Sequence, residues 1–315
     1  MSKPRLGFVG LGLMGTAMSL RLTERGWPLT VWNLEGERVP PVVAAGATAA
    51  PSPAAVAAAS DIVLTCVLHT QAVEDCVFGA NGIARADVAG KILIDHSTAD
   101  PKRTAELAAR LRRDHCMRWV DAPVSGGPVA ARAGTMTVMA GGEAEDIAAI
   151  KPVMADLAAN FTHMGASGAG QMTKVINQAI VGTNYVLMAE ALALAEASGI
   201  DAARLPQCLA GGHADSELLR QLYPRMQARD FTPPRAYARQ LLKDMHAVGD
   251  TLRALGLALP LVGAAIRQHE AFVGAGNDMV DPAAVSRLYE RDPTEPRPNE
   301  PKTDKRNQRH TGGKS

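Results

Sequence analysis

The sequence predicts an α/β Rossmann-type, doubly wound N-terminal domain followed by an all-α C-terminal domain. Strand-like apolar runs alternate with helical segments through residues 1–164, and helical patterns alone follow. A glycine-rich turn, Gly10 to Gly15, comes directly after the first strand and opens a helix. Strands that alternate with helices predict a mostly parallel sheet covered by helices on both faces.

Six runs of β-branched and other apolar residues predict the strands, at residues 6–10, 29–32, 62–67, 91–95, 118–121 and 135–139. Between the first two, residues 15–25 carry apolar side chains at helical spacing, and Gly26 ends that helix. We therefore expect the first domain to span residues 1–164.

The C-terminal half begins with an apolar segment, residues 171–198, that contains no proline and one glycine, Gly182. It predicts a helix of about 40 Å, too apolar all round to lie on a surface, and so the spine of a helical domain at 165–290. Further helices are expected at residues 205–210, 216–228, 236–256 and 260–274. Residues 291–315, with several prolines and hardly an apolar side chain, predict a disordered tail.

Composition excludes several classes of partner. Lys plus Arg number 33 against 32 Asp plus Glu, so no global field favours nucleic acid or an anionic membrane. Four scattered cysteines lack metal-ligand spacing, which predicts free thiols and no metal site. No signal-peptide pattern and no apolar run near the ~20 residues of a membrane span is visible, so we expect a cytoplasmic protein.

The glycine-rich turn predicts a dinucleotide-binding loop made of Gly10, Leu11, Gly12, Leu13, Met14 and Gly15. Its first glycine makes the turn, its second lets a pyrophosphate approach, and its third lets helix and strand pack closely. About twenty residues later, Asn33 can hydrogen-bond a ribose, Leu34 offers no charge, Glu35 would repel a phosphate and Arg38 would attract one. These residues favour NAD and leave NADP open.

Two further motifs predict a substrate site. A strand that ends near Pro123 is followed by Ser125, Gly126 and Gly127. Their hydroxyl and backbone N–H groups could bind a carboxylate at the end of the strand. An ordinary turn without a ligand would have the same sequence pattern. Lys174 shares one helical face with Asn177 and Gln178, at i+3 and i+4. Such a lysine can extend to the surface, but a polar cluster on an apolar helix indicates a lined cavity in which burial suits Lys174 to proton transfer.

A third polar stripe joins Arg235, Arg239 and Lys243 at i, i+4 and i+8 of one predicted helix. Solvated surface is one interpretation. In the other, Lys243 faces the cofactor and the arginines line the outer part of the substrate site.

These motifs together resemble the β-hydroxyacid dehydrogenases, the family of 3-hydroxyisobutyrate dehydrogenase, tartronate semialdehyde reductase and 6-phosphogluconate dehydrogenase. The likeness extends over about residues 4–275. It implies NAD(P)-dependent interconversion of a small β-hydroxy acid and its semialdehyde. It also implies Lys174 as the catalytic acid and base, carboxylate binding by Ser125, Gly126 and Gly127, substrate contacts from Asn177 and Gln178, and cofactor contacts from Thr98 and Lys243. A homodimer or homotetramer is expected.

The chain departs from the family pattern at several positions. Gln178 stands where many members have a second asparagine, Leu68 replaces a loop proline beside the cofactor, and Leu34 replaces an arginine of NADP-preferring relatives. The stretch from Phe231 to Lys243 is one residue longer than in the family pattern. Two alternatives share this fold: imine reductases and non-catalytic cofactor-binding scaffolds. Both usually lack the lysine, so the presence of Lys174 argues against them.

Overall fold

The computed structural model describes residues 3–290. The predicted tail, 291–315, lies outside the described residues.

A nine-stranded sheet forms the centre of the N-terminal region. Its strands are β1 (Leu6–Val9), β2 (Leu29–Trp32), β3 (Thr48–Ala49), β4 (Ile62–Thr65), β5 (Ile92–Asp95), β6 (Arg118–Asp121), β7 (Val124–Ser125), β8 (Met136–Gly141) and β9 (Ala158–Gly165). Strands β3-β2-β1-β4-β5-β6 are parallel neighbours in that order, β8 runs antiparallel to β6 and β7, and β9 is parallel to β8. This is the doubly wound order in which ligands bind where the strand order reverses, here between β1 and β4.

Within the described residues, the α-helices are α1 (Leu13–Glu24), α2 (Pro40–Ala44), α3 (Pro53–Ala59), α4 (Thr70–Phe78), α5 (Pro101–His115), α6 (Gly127–Ala133), α7 (Ala144–Leu157), α8 (Ala169–Ser198), α9 (Leu205–Leu209), α10 (Glu217–Gln221), α11 (Tyr223–Gln227), α12 (Ala238–Leu255) and α13 (Pro260–Gly274). The segment predicted as one helix at 216–228 is two, because Pro224 cannot continue the helical hydrogen bonds of α10. The Rossmann-type domain followed by helices is confirmed.

Helices cover both faces of the sheet, so side chains that point alternately to the two faces of a strand are buried on either side. Leu64 and Ile94 pack into the core on one face, and Val63 and Leu93 pack into the core on the other. The predicted strands are therefore confirmed as apolar on both sides, whereas β3, β7 and β9 were missed because they are short or exposed.

Helix α8 is about 45 Å long, slightly longer than predicted. The sequence predicts a helix too apolar all round to lie on a surface, but within this chain α8 is only partly covered. Ile176 and Ile180 are more than half exposed, and Leu194 is 71% exposed. Gly182 marks close packing, since a Cβ there would lie 2.1 Å from Sδ of Met245 on α12. Among the described residues, α8 is the one helix long and apolar enough to cross a membrane, a test that core helices of soluble proteins also pass.

The described residues form two compact units. One consists of residues 3–184 and 232–282, and the other of residues 185–231 and 283–290. In the second unit, Tyr223 and Met226 are buried, and the Tyr289 hydroxyl donates to Glu190 at 3.1 Å. Every residue of the candidate site described below belongs to the first unit.

Candidate active site

The glycine-rich turn connects β1 to α1 at the point where the strand order reverses. Gly10 has φ +99°, and a Cβ on Gly15 would lie 1.9 Å from the Gly10 carbonyl oxygen, so both positions require glycine. A Cβ on Gly12 would meet no atom within 4 Å. The open space beside Gly12 adjoins the unpaired N–H groups that begin α1, and these groups fit the pyrophosphate of a dinucleotide.

Asn33 follows β2 and holds the glycine-rich turn in place. Its Oδ1 accepts a 2.6 Å hydrogen bond from the Leu11 amide, and its Nδ2 donates to Oε2 of Glu35 at 2.9 Å. Leu34 between them is 80% exposed. The side chain of Asn33, predicted to bond a ribose, is thus already occupied by its neighbours.

Ser125, Gly126 and Gly127 lie where the sequence places them, at the junction of β7 and α6. Gly126 and Gly127 have φ of +122° and +70°, the left-handed region that glycine enters without strain. Within residues 3–290, the Ser125 hydroxyl and the amides of these two glycines donate no hydrogen bond. Three unpaired donors in succession can bind an anion such as a carboxylate.

The start of α8 is fixed by Asp121 at the end of β6. Its completely buried carboxylate accepts hydrogen bonds from the amides of Gly168 and Gln171, at 2.8 and 3.0 Å. Gly170 allows the approach, because a Cβ there would lie 2.6 Å from the Asp121 carbonyl oxygen. Burial raises the pKa of the Asp121 carboxyl. Asp121 thereby sets the position of the helical turn that carries Lys174.

Lys174 is 7% exposed, and its Nζ donates a 2.8 Å hydrogen bond to the carbonyl oxygen of Val124. This contact places the amine one residue away from Ser125. Burial lowers the pKa of Lys174 to about 8, the Asp244 carboxylate opposes that shift, and the Lys243 ammonium adds to it. A lysine with this pKa exists in both protonation states near neutral pH, as a group that donates and accepts protons must.

A hydrogen-bonded chain leads from the neighbours of Lys174 to α12. Asn177 Nδ2 donates to Gln178 Oε1 at 2.8 Å, and Gln178 Nε2 donates to Asp244 Oδ2 at 2.6 Å. Asp244 also forms an ion pair with Lys243 at 2.9 Å, and Lys243 Nζ donates to the Leu68 carbonyl oxygen. These contacts link five residues from three segments of the protein.

Thr98 belongs to the same region through Gln171. The buried Gln171 amide accepts from the Ala99 N–H and donates to the Ser97 carbonyl oxygen, at 3.0 and 2.8 Å. Thr98, Arg239, Lys243 and Asp244 line a cavity of about 420 Å³.

The predicted stripe of three cations is only partly correct. Arg239 and Lys243 lie one turn apart on α12, but Arg235 precedes the helix, which begins at Ala238. The backbone N–H of Arg235 is outside the helix and donates a hydrogen bond to the Asp281 carboxylate, in the segment after α13.

Sequence reasoning assigned no role to Asp121, Gln171 or Asp244, which position the functional side chains. Asp121 and Gln171 are buried and Asp244 is partly buried, and each contacts a partner 47 to 74 residues away in the sequence. The sequence offered one indication of their roles: each is a polar residue close to a motif that was assigned a function.

Comparisons with known proteins cover nearly the whole chain. A family model described as the NAD binding domain of 6-phosphogluconate dehydrogenase matches residues 5–165. A second, described as the NAD-binding of NADP-dependent 3-hydroxyisobutyrate dehydrogenase, matches residues 168–289.

Individual relatives agree with these matches. The 2-hydroxy-3-oxopropionate reductase of Escherichia coli K12 is 35% identical over 289 residues, which are 91% of this chain and 97% of the relative. L-threonate dehydrogenase of Cupriavidus necator is 33% identical, over 90% of this chain and 95% of the relative. The crystal structure of a 3-hydroxyisobutyrate dehydrogenase from Salmonella typhimurium is 30% identical with a TM-score of 0.81, over 90% of this chain and 99% of that one.

Proposed function

Because this chain belongs to the β-hydroxyacid dehydrogenase family, an NAD(P)-dependent group, we propose that Lys174 is the acid and base with which it interconverts a small β-hydroxy acid and its semialdehyde. The expected family, activity class and nicotinamide cofactor are confirmed by the same matches. One observation carries the proposed role of Lys174: a buried amine with a pKa of about 8 lies beside an unpaired hydroxyl and two unpaired amides.

The substrate carboxylate binds to Ser125, Gly126 and Gly127. Their donors lack partners within residues 3–290, so an anion gains hydrogen bonds there without displacing existing ones. Both glycines have a positive φ, and successive backbone N–H groups in turn conformations can form an anion-binding concavity, which supports this assignment.

The cofactor is held by the glycine-rich turn, which Asn33 keeps in place through the Leu11 amide, and by Leu68, Thr98 and Lys243. When bound, NAD(P) supplies or accepts the hydride at the reacting carbon. Lys243 is fixed for this task by Asp244 and by the Leu68 carbonyl oxygen.

Lys174 moves the proton. In reduction its ammonium gives a proton to the carbonyl oxygen of the semialdehyde, and in oxidation its neutral amine takes the proton from the hydroxyl group. The Val124 carbonyl oxygen orients the amine. Asn177, held through Gln178 and Asp244, orients the reacting oxygen beside Lys174, and Gln178 contacts the substrate from the same helical face.

The substrate class follows from relatives and from Arg239. Relatives named for 2-hydroxy-3-oxopropionate and L-threonate act on hydroxylated carboxylates. Arg239 lines the cavity that also contains Lys243 and Asp244. A substrate with a polar or acidic group at the end opposite its carboxylate fits this arrangement, because a guanidinium there offers charged hydrogen-bond donors.

A substrate panel tests the proposal. Purified protein is assayed with NADH and NADPH against 2-hydroxy-3-oxopropionate, glyoxylate and succinic semialdehyde, and in the oxidative direction against glycerate, 3-hydroxyisobutyrate and serine. We expect turnover of at least one compound, reduced ~10²–10⁴-fold in Lys174→Ala with little change in cofactor affinity. Lys91→Ala, another lysine that donates to a backbone carbonyl, is the matched control and should keep its activity. Equal losses of turnover and cofactor affinity in Lys174→Ala would show that Lys174 is structural.

A cytoplasmic homo-oligomer completes the proposal. The exposed apolar side chains Ile176, Ile180, Leu187 and Leu194 lie along α8 at spacings of four and seven residues, which repeat on one helical face. Burial of these side chains by a second copy would remove apolar surface from water. Light scattering at micromolar concentration should give at least a dimer, and a monomer would refute this part.

A further inference from the structure

The loops that follow β4 and β5 carry two of the proposed cofactor contacts, Leu68 and Thr98. They leave the sheet side by side, because Thr65 and Asp95, the last residues of the two strands, are paired in the sheet. The last backbone hydrogen bond between the strands runs from the His96 amide to the Thr65 carbonyl oxygen, at 2.8 Å. Beyond it, no backbone hydrogen bond joins the two loops in the part of the chain that the structure describes. Side chains must therefore hold Leu68 and Thr98 together.

The Ser97 side chain supplies the buried link between the loops. Its hydroxyl oxygen accepts a 2.9 Å hydrogen bond from the amide of Val67, directly before Leu68, and Ser97 is 1% exposed. A second link, from the Asp100 amide to the Thr70 hydroxyl, lies farther along both loops and is exposed, so water can replace it. The spacing of the two proposed contacts therefore depends mainly on Ser97.

The backbone of Ser97 is held from two other directions. Its amide donates a 3.0 Å hydrogen bond to Oδ1 of Asp95, which also accepts from the Thr65 hydroxyl at 2.9 Å. Its carbonyl oxygen accepts from Nε2 of Gln171, near the start of α8. The side chains of Asp95, Thr65 and Gln171 are completely buried. Ser97 therefore presents its hydroxyl to Val67 from a fixed position.

We propose that Ser97 is a positioning residue for cofactor binding: by holding the Val67 amide, it keeps the loops after β4 and β5 at the spacing that receives the nicotinamide cofactor. In this role Ser97 acts through Leu68 and Thr98, so the inference rests on the cofactor contacts proposed for these two residues. The link also reaches α12, because the Leu68 carbonyl oxygen accepts from Nζ of Lys243 at 2.8 Å.

Loss of the Ser97 hydroxyl changes the balance between two arrangements of the loops. In Ser97→Ala the partly buried Val67 amide loses its acceptor, and a polar group without a partner is costly away from water. Water reaches this amide when the loop moves away from β5, so the separated arrangement gains population. A cofactor that binds the joined arrangement then binds more weakly, in proportion to the fraction of molecules in which the loops are joined. One hydrogen bond corresponds to about a tenfold change in such an equilibrium.

Cofactor binding in the absence of substrate tests the proposal. NADH and NADPH are titrated separately into the full-length wild type, Ser97→Ala and Thr98→Ala, with nucleotide fluorescence as the readout, and urea unfolding gives the stability of each protein. Ser60→Ala is the matched control. Ser60 is also completely buried and also bonds a backbone group, the Val56 carbonyl oxygen, but it lies before β4, at the opposite end of that strand from the loops.

We expect Ser97→Ala to bind the preferred nucleotide about tenfold more weakly than the wild type. Ser60→Ala should bind it as the wild type does, although both variants lose stability. An unchanged dissociation constant in Ser97→Ala, or an equal increase in Ser60→Ala, would overturn the proposal. If Thr98→Ala weakens binding and Ser97→Ala does not, the positioning role fails and the contact from Thr98 stands. A protein that shows the expected binding and fails the substrate panel would refute the chemistry proposed for Lys174 alone.

Discussion

Replacement of Lys174 by methionine should abolish catalysis and yet stabilise the folded protein at neutral pH. Methionine has a similar length and no charge, so the substitution removes the buried ammonium while most of the volume stays filled. The expected gain comes from the charge, because burial disfavours the protonated amine in the folded state alone.

The pKa of Lys174 gives the magnitude. A drop from 10.5 to about 8 is about 2.5 units, or roughly 3 kcal/mol of destabilisation at pH values well below 8. The variant leaves the Val124 carbonyl oxygen without its donor, which costs about 1 kcal/mol. Lys174→Met should therefore raise the free energy of unfolding by about 2 kcal/mol at pH 7.

The pH dependence has a definite sign. Below pH 8 both the folded and the unfolded state are protonated, and the folded state carries the full cost. Between pH 8 and 10.5 the unfolded state binds more protons, so the wild type gains stability as pH rises. The advantage of Lys174→Met should shrink to near zero by about pH 9.5.

Urea unfolding of both proteins at pH 7 and 9.5, at one fixed protein concentration, measures this difference. Lys91→Met is the control, because Lys91 also donates to a backbone carbonyl but is only partly buried, directly before β5. Lys91→Met should not reproduce the gain in stability at pH 7, because the partly buried Lys91 ammonium keeps contact with water. A Lys174→Met variant that is less stable at pH 7, or a difference independent of pH, would refute the reasoning.

Three further substitutions test other parts of the site. Leu34→Arg should shift the ratio of kcat/KM towards NADPH by about tenfold, since an exposed cation beside the ribose attracts a phosphate; steady-state kinetics with both cofactors measure it, and an unchanged ratio would mean that residue 34 does not face the ribose. Asp244→Asn keeps the acceptor for Gln178 but removes the charge that holds the pKa of Lys174 up, so the pH above which reductive turnover declines should fall below 8; an unmoved profile would contradict this. Arg239→Ala should raise KM for a substrate with a distal acidic group by about tenfold and leave KM for glyoxylate unchanged; equal changes would deny Arg239 a role in specificity.

The sheet could be predicted because its strands are continuous apolar runs, which parallel strands buried on both faces require. The positions of Gly10 and Gly15 were also predictable, since the structure gives each a steric reason to be glycine. β9 escaped because its side chains are mostly exposed and show no apolar run. The exposure of α8 could not be foreseen from composition, which reports how apolar a helix is but not what covers it.

The candidate site also has a part that the sequence predicts and a part that it does not. Ser125 and Lys174 lie in local motifs, and the structure brings them to the same place through the Val124 carbonyl oxygen. The groups that position them act over long sequence separations, as the hydrogen bond from Gln178 to Asp244 does. Arg235 was misplaced because helical spacing continued past the actual helix start, which the bond from the Arg235 amide to Asp281 sets.

The role of Lys174 as the proton donor is tested most directly by the pH dependence of kcat for reduction of a semialdehyde, such as 2-hydroxy-3-oxopropionate, between pH 6 and 10. With a Lys174 pKa of about 8, kcat should be constant at low pH and fall about tenfold per pH unit above 8, because the ammonium form is lost. The residual activity of Lys174→Ala should lack this ionisation. A wild-type profile that stays flat to pH 10, or the same decline in Lys174→Ala, would contradict the assignment.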